Sequence, residues 1–248
     1  MMNRYSAVLL MILALMTDFA SGMSPGDRVD NFRLLDQEGN SHELYYLSDK
    51  KAIVLMIQGN GCPIVRNALP TLKKIRAQYE AKEVSFLLLN ANLQDDRTSV
   101  AAEADEFDIN FPILLDESQL IAESFGVDRT SEVFVVDPDG WQLKYRGPID
   151  DRLSYEAQKP RAKHHYLKDA LDAVLGGEKL AIAQQEAGGC LMNLPGRDAD
   201  HQQISYVNEI APMLVDNCVV CHRSGGIGPF AMDEYKICLL YTSPSPRD

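Results

Sequence analysis

At 248 residues the chain has room for one large domain, or for an ordinary domain with an appendage. With 46% hydrophobic and 24% charged residues, its composition is that of a soluble globular protein. A net charge of −12 argues against nucleic acid or an anionic membrane surface as partner.

The chain opens with MMNRYSAVLLMILALMTDFASGM. Arg4 supplies a short positive segment, Ala7 to Met16 an apolar run of ten, and Ala20-Ser21-Gly22 small residues suited to signal-peptidase cleavage. A spanning helix needs about twenty apolar residues, so residues 1–22 read as a signal peptide, with no transmembrane span after cleavage. A periplasmic or otherwise exported protein follows, with its cysteines in an oxidising compartment. A retained anchor and a lipoprotein are the alternatives, the second weakened because no cysteine follows the apolar run.

Next, SPGDRVDNFRLLDQEGNSHEL alternates apolar and turn residues, with Gln37-Glu38-Gly39-Asn40 predicted as a hairpin turn. Ala52 to Ile57 is a continuous apolar run, as a strand buried on both faces requires. Gly59-Asn60-Gly61 breaks it, and Pro63 opens a helix whose Ile64, Ala68, Leu72, Ile75 and Tyr79 share one face. Cys62 stands between strand and helix, where backbone N–H groups and the helix dipole favour a thiolate. The plainer alternative is a small buried hydrophobe.

Val84 to Leu89 is a second central strand, Ser99 to Phe107 a short helix, and Phe111 to Leu115 a strand or extended connection. Ser118 to Phe125 reads as a helix closed by Gly126. Glu132 to Val136 and Trp141 to Tyr145 form a hairpin about Asp137-Pro138-Asp139-Gly140. Tyr166 to Leu175 is an amphipathic helix stopped by Gly176-Gly177. The order ββ-β-α-β-α-β-β-α implies an α/β mixed sheet with helices on both faces. His164-His165 invites a metal reading. Adjacent helical residues point about 100° apart and no further ligand stands at suitable spacing, so surface residues are expected.

SPGDRVDNFRLLDQEGNSHEL, the strand ending in GNGCPIVR and TSEVFVVDPDGWQLKYRG together resemble a redoxin-type thioredoxin-fold domain. That class includes peroxiredoxins and thiol–disulfide oxidoreductases, and the likeness covers about Met23 to Gly177. It implies thiol–disulfide or peroxide chemistry at Cys62. Three departures stand out. Val65 occupies the place of the second cysteine of C-x-x-C, and Thr130-Ser131 replaces threonine and cis-proline. Gly59 stands where peroxiredoxins carry threonine or serine, and Leu55 where they have an upstream proline. Arg66 or Arg129 is expected to supply any cation beside the thiolate, surface charge being the alternative for both. Cys190 is the one candidate within the region to resolve Cys62. A Cys62–Cys190 disulfide, structural or redox-active, is therefore expected, provided the two Cα atoms come within about 7 Å.

Leu194 to Asp200 reads as linker. Ile204, Val207, Ile210, Ala211, Leu214 and Val215 then recur at helical spacing into Asn217-Cys218-Val219-Val220-Cys221-His222. C-x-x-C-H is the c-type haem attachment signature, with two thiols for the porphyrin vinyl groups and His222 for the iron. Half a zinc site or a redox dithiol are the alternatives. Gly228-Pro229 is similar to the class I cytochrome c pattern, which would place Pro229 in the haem pocket. Met232 follows His222 too closely to be the expected distal ligand. Ile237 to Asp248 lacks periodicity and resembles translated adapter sequence, so Cys238 is set aside.

The expected fold class is thus a thioredoxin-like mixed sheet flanked by helices, followed by a truncated all-α cytochrome c-like segment. The divisions are 1–22 signal, 23–177 redoxin-like, 178–202 linker with Cys190, 203–236 start of a cytochrome c-like domain, and 237–248 non-native tail. The combination resembles bacterial redoxin–cytochrome fusions. It implies an exported redox protein with covalent haem c and periplasmic electron-transfer or thiol partners. Copper is an expectation only for the missing C-terminal region that would follow about Lys236 in the natural protein, where longer fusions of this kind continue. A carrier or sensor whose redoxin-like part is a binding scaffold is the competing class.

Overall fold

The computed structural model describes residues 22–154, 158–195, 210–228 and 231. The expected signal peptide up to residue 21, the start of the helix entering the C-x-x-C-H segment, Pro229, Met232 and the 237–248 tail lie outside the described residues. The chain divides into two compact units, residues 1–194 and 195–248.

In the first unit, β1 (Arg33–Leu35) and β2 (Ser41–Glu43) pair antiparallel about the expected turn. The Asp36 carboxylate fixes that turn by accepting from the Glu38 and Asn40 N–H groups. Five further strands make the main sheet: β3 (Ala52–Gln58), β4 (Val84–Asn90), β5 (Ile113–Leu115), β6 (Val133–Asp137) and β7 (Gln142–Gly147). Their order is β5-β4-β3-β6-β7, with β3, β4 and β5 parallel and β6 and β7 antiparallel. The mixed sheet is the expected one.

Helix α1 (Pro63–Tyr79) follows β3, α2 (Arg97–Glu106) precedes β5, α3 (Leu120–Phe125) follows it, and α4 (Tyr166–Gly176) comes after β7. Every residue of β3 is buried, and its side chains alternate between two cores. Ala52, Val54 and Met56 pack with α1, α2 and α4, whereas Ile53, Leu55 and Ile57 pack with α3 and the N-terminal hairpin region. A run buried on both faces therefore reads as continuously apolar.

The sequence closes the domain at residue 177 and treats 178–202 as linker. Packing instead continues to Leu194. Arg146 N–H donates to the Ala183 carbonyl, Gln185 N–H to Arg146, Thr130 N–H to Cys190, and Met192 N–H to Asp128. The Gln119 amide donates to the Asn193 carbonyl. Residues 183–194 thus form an extended strap along the end of β7 and the loop leading into β6. An extended strap held by isolated bridges carries no helical or strand periodicity, which is why the sequence hides it.

The described part of the second unit holds a single helical turn, α5 (Ala211–Leu214), continuing as a wider turn through Val215–Val219. Among the described residues no helix is long and apolar enough to cross a membrane.

Candidate active site

Cys62 caps α1. Its backbone is extended (φ −70°, ψ 115°), Pro63 opens the first turn, and the Cys62 carbonyl accepts from Arg66 N–H at 3.1 Å. Gly61 takes φ +72°, a conformation open to glycine, to bring the chain from strand to helix. A polar cluster beneath fixes this turn. The Asn90 amide donates to Gln58 Oε1 (2.6 Å) and to Asp95 Oδ2 (2.8 Å), and Asp95 also accepts from Asn60 N–H. Gln58 and Asn90 are buried, so each of these bonds replaces one to water.

The Cys62 sulfur has two close partners, neither adjacent in sequence. Cys190 Sγ lies 2.7 Å away and Thr130 Oγ1 3.1 Å away. Both cysteines are unbonded thiols. Thr130 Oγ1 also accepts from Cys190 N–H at 2.9 Å. Its O–H remains available to donate to the Cys62 sulfur when that sulfur is deprotonated. Gly59 admits this arrangement, since a Cβ there would stand 3.2 Å from Thr130 Cγ2. Gly189 is required more strictly, because a Cβ there would meet the Thr130 carbonyl oxygen at 1.7 Å. The strap therefore reaches Cys62 because residues 188 and 189 have no side chains.

The two thiols are electrostatically unlike. Burial pushes the Cys62 thiol up, but hydrogen bonds from Cys190 and Thr130 outweigh it and hold the group below its ordinary 9.0. The Val65 N–H in the first helical turn adds to this without closing a capping hydrogen bond. The Cys190 thiol is pushed up to about 11, by burial first and then by its bond to Cys62. Of the two, Cys62 is therefore the first to give up its proton.

Neither arginine named from sequence sits on the sulfur. Arg66 donates from Nε and Nη2 to the buried Glu103, which also accepts from Gly61 N–H. Arg129 donates to the Gly189 carbonyl at 3.0 Å and so holds the strap. Sequence reasoning missed Thr130 as the partner of the thiol. Its one signal was the departure at Thr130-Ser131, where Ser131 takes φ +62° and donates its N–H to Ile57. No cis peptide occurs among the described residues. His164 stacks on Tyr166, and no cluster of three metal-ligating side chains exists among the described residues.

In the second unit, Cys221 N–H and His222 N–H both donate to the Cys218 carbonyl (3.1 and 2.9 Å), placing the two cysteines one turn apart. Cys221 is exposed and Cys218 and His222 partly so. Gly228 passes against the His222 ring, where a Cβ would stand 2.7 Å from Cγ and Nδ1. Thiols on one turn, the next residue's imidazole, and a glycine seating that ring are compatible with covalent haem.

The Redoxin family model matches residues 24–159. The thiol-disulfide oxidoreductase ResA of Halalkalibacterium halodurans is 27% identical over 132 residues, covering 53% of this chain and 73% of that protein. The protein of the same name from Bacillus thuringiensis is 28% identical over 120 residues, covering 48% of this chain and 66% of that protein. An uncharacterized conserved protein from Geobacillus kaustophilus superposes with TM-score 0.62 at 26% identity, covering 69% of this chain and 93% of that one. A putative thiol:disulfide interchange protein DsbE from Chlorobium tepidum superposes at 0.52 and 18% identity, over 62% of this chain and 99% of that one, a likeness of fold alone.

Proposed function

The chain belongs to the Redoxin family and stands among thiol-dependent oxidoreductases, and from that premise we propose that Cys62 and Cys190 form its redox pair. The observation that carries this reading is the 2.7 Å approach of the two sulfurs across 128 residues of sequence. The reduced pair gives two electrons to a substrate disulfide. Cys62 and Cys190 become joined, their two protons pass to the departing sulfurs, and the substrate leaves as two thiols. Cys190 takes the role that the second cysteine of C-x-x-C fills elsewhere, which accounts for Val65. Thiol–disulfide exchange is favoured over peroxide reduction because the similar proteins from Halalkalibacterium halodurans and Bacillus thuringiensis are thiol-disulfide oxidoreductases by name.

The test is turnover of a model disulfide and of peroxide by wild type, Cys62→Ser and Cys190→Ser. Loss of disulfide turnover in both variants supports the reading, and equal rates in all three proteins refute it. Non-reducing peptide mass spectrometry provides the direct check on the Cys62–Cys190 link.

For the second unit the reading is a covalent haem c site, supported by the turn carrying Cys218, Cys221 and His222 and by the seat of Gly228 on the imidazole. Cys218 and Cys221 would attach the porphyrin and His222 would ligate the iron, with Pro229 nearby in sequence. Haem supplies one-electron transfer when bound. The chain's own contribution is to hold the thiols on one turn and fix the ring of His222. A pyridine haemochrome spectrum of protein matured in the periplasm tests this, and Cys218→Ala with Cys221→Ala should abolish it. An exported location, with thiol or electron-transfer partners, accords with both readings.

A further inference from the structure

The two sulfurs are not equally open to a partner. Cys62 is 6% exposed, enclosed by the glycine turn, the Thr130 hydroxyl and the start of α1. Cys190 is partly exposed at the rim of the strap, and the next residue, Leu191, is 73% exposed. We propose that an incoming thiol attacks the oxidised protein at Cys190, with Cys62 as the leaving group, the reverse of an exposed N-terminal cysteine taking the first contact. This rests on the Cys62–Cys190 redox pair proposed above.

The step balances as a simple exchange. A deprotonated thiol R–S⁻, its proton already lost to solvent, forms a bond to Cys190 Sγ. The Cys62–Cys190 bond breaks, and its electron pair departs on Cys62. The incoming sulfur is oxidised, Cys62 is reduced, and the protein carries R–S–S–Cys190 beside a free Cys62 thiolate.

Three features act together. Access selects Cys190, because a nucleophile must approach along the S–S axis from the side opposite the leaving sulfur. Leaving-group quality selects Cys62, since exchange is faster when the departing thiol is the more acidic one. The receiving groups are already in place, as the Thr130 O–H and the Val65 N–H face the sulfur on which charge appears.

The experiment uses the oxidised full chain and glutathione as probe. Samples are quenched in acid after successive short intervals, remaining thiols are alkylated, and peptides are mapped by mass spectrometry. Extrapolated to zero time, at least about ten molecules should carry glutathione on Cys190 and alkyl on Cys62 for each one labelled the other way. Equal labelling, or a first adduct on Cys62, overturns the inference while leaving the redox pair standing. Absence of a Cys62–Cys190 peptide in the starting material removes both the pair and this order of attack.

Discussion

Replacing Thr130 by valine keeps the shape of the side chain and removes the hydroxyl that holds both cysteines. The lost bond is a neutral donor on a thiolate at 3.1 Å, a class worth about 1.5–3 kcal/mol. At about 1.4 kcal/mol per factor of ten, the Cys62 thiolate population on the acid limb falls about ten- to a hundredfold. Thiolate reactivity rises as acidity falls, with a Brønsted slope of about 0.4–0.5, and so returns roughly half of that loss on a logarithmic scale. The net expectation is about a three- to tenfold slower alkylation of Cys62 at low pH and a faster one at high pH. The two pH–rate curves therefore cross. Cys190 N–H also loses its acceptor, which costs about 1–3 kcal/mol of stability, read separately by urea unfolding. Thr130→Ser restores the hydroxyl and should restore the wild-type profile. The assay is peptide-resolved alkylation of reduced protein across pH. Curves for Thr130→Val that run parallel to wild type without crossing would show that the hydroxyl only packs.

Gly189→Ala should push the strap off Thr130, slowing Cys62–Cys190 disulfide formation in a glutathione buffer by more than about tenfold, with an overpacking cost of about 1–3 kcal/mol. Ser131→Pro, which installs the residue usual in the family, should destabilise by about 3 kcal/mol or more in urea unfolding. It removes the N–H donated to Ile57 and cannot adopt φ +62°. Arg146→Leu leaves the buried Glu132 carboxylate without its partner and should cost about 3–5 kcal/mol, and adding Glu132→Leu should recover much of that loss.

The part of the site written in local sequence was readable. A fully buried strand announces itself as six consecutive apolar residues, and Pro63 marks the first turn of α1, so Cys62 was placed from neighbours alone. What completes the site is remote. Thr130 is 68 residues from Cys62 and Cys190 is 128, and no pattern within a window reports such a contact. Cys190 was reachable only by counting cysteines in the domain. Thr130 was seen only as half of a departure from a family pattern. The strap stayed hidden for a third reason. Its information lies in Gly188-Gly189, which reads as a flexible break until the close approach of Thr130 and Ser154 shows why no side chain fits. Arg66 does not touch the sulfur because it is bonded to Glu103 from α2, so its charge reaches Cys62 only through space.

A disulfide across this distance poses a thermodynamic question that separates a redox pair from a structural staple. Joining residues 128 apart removes loop entropy worth roughly 5 kcal/mol from the unfolded chain in the chain-entropy model. That term alone makes the oxidised form the more stable one and describes a staple. Stabilisation of the Cys62 thiolate works against it, because it exists only in the reduced folded state. A thiol held below its ordinary 9.0 contributes fully above that value, and its contribution is lost as pH falls through the folded value. Cys190, pushed up to about 11, contributes below 9.0 and loses its contribution as pH rises through about 11. The reduced protein is therefore most stable near pH 9. The gap in unfolding free energy between oxidised and reduced protein should narrow from acid towards pH 9 and widen again above it. Urea unfolding of both forms across this range measures the gap. A gap that stays flat with pH would mean that Thr130 and the start of α1 do not favour the thiolate, and that the pair is a staple.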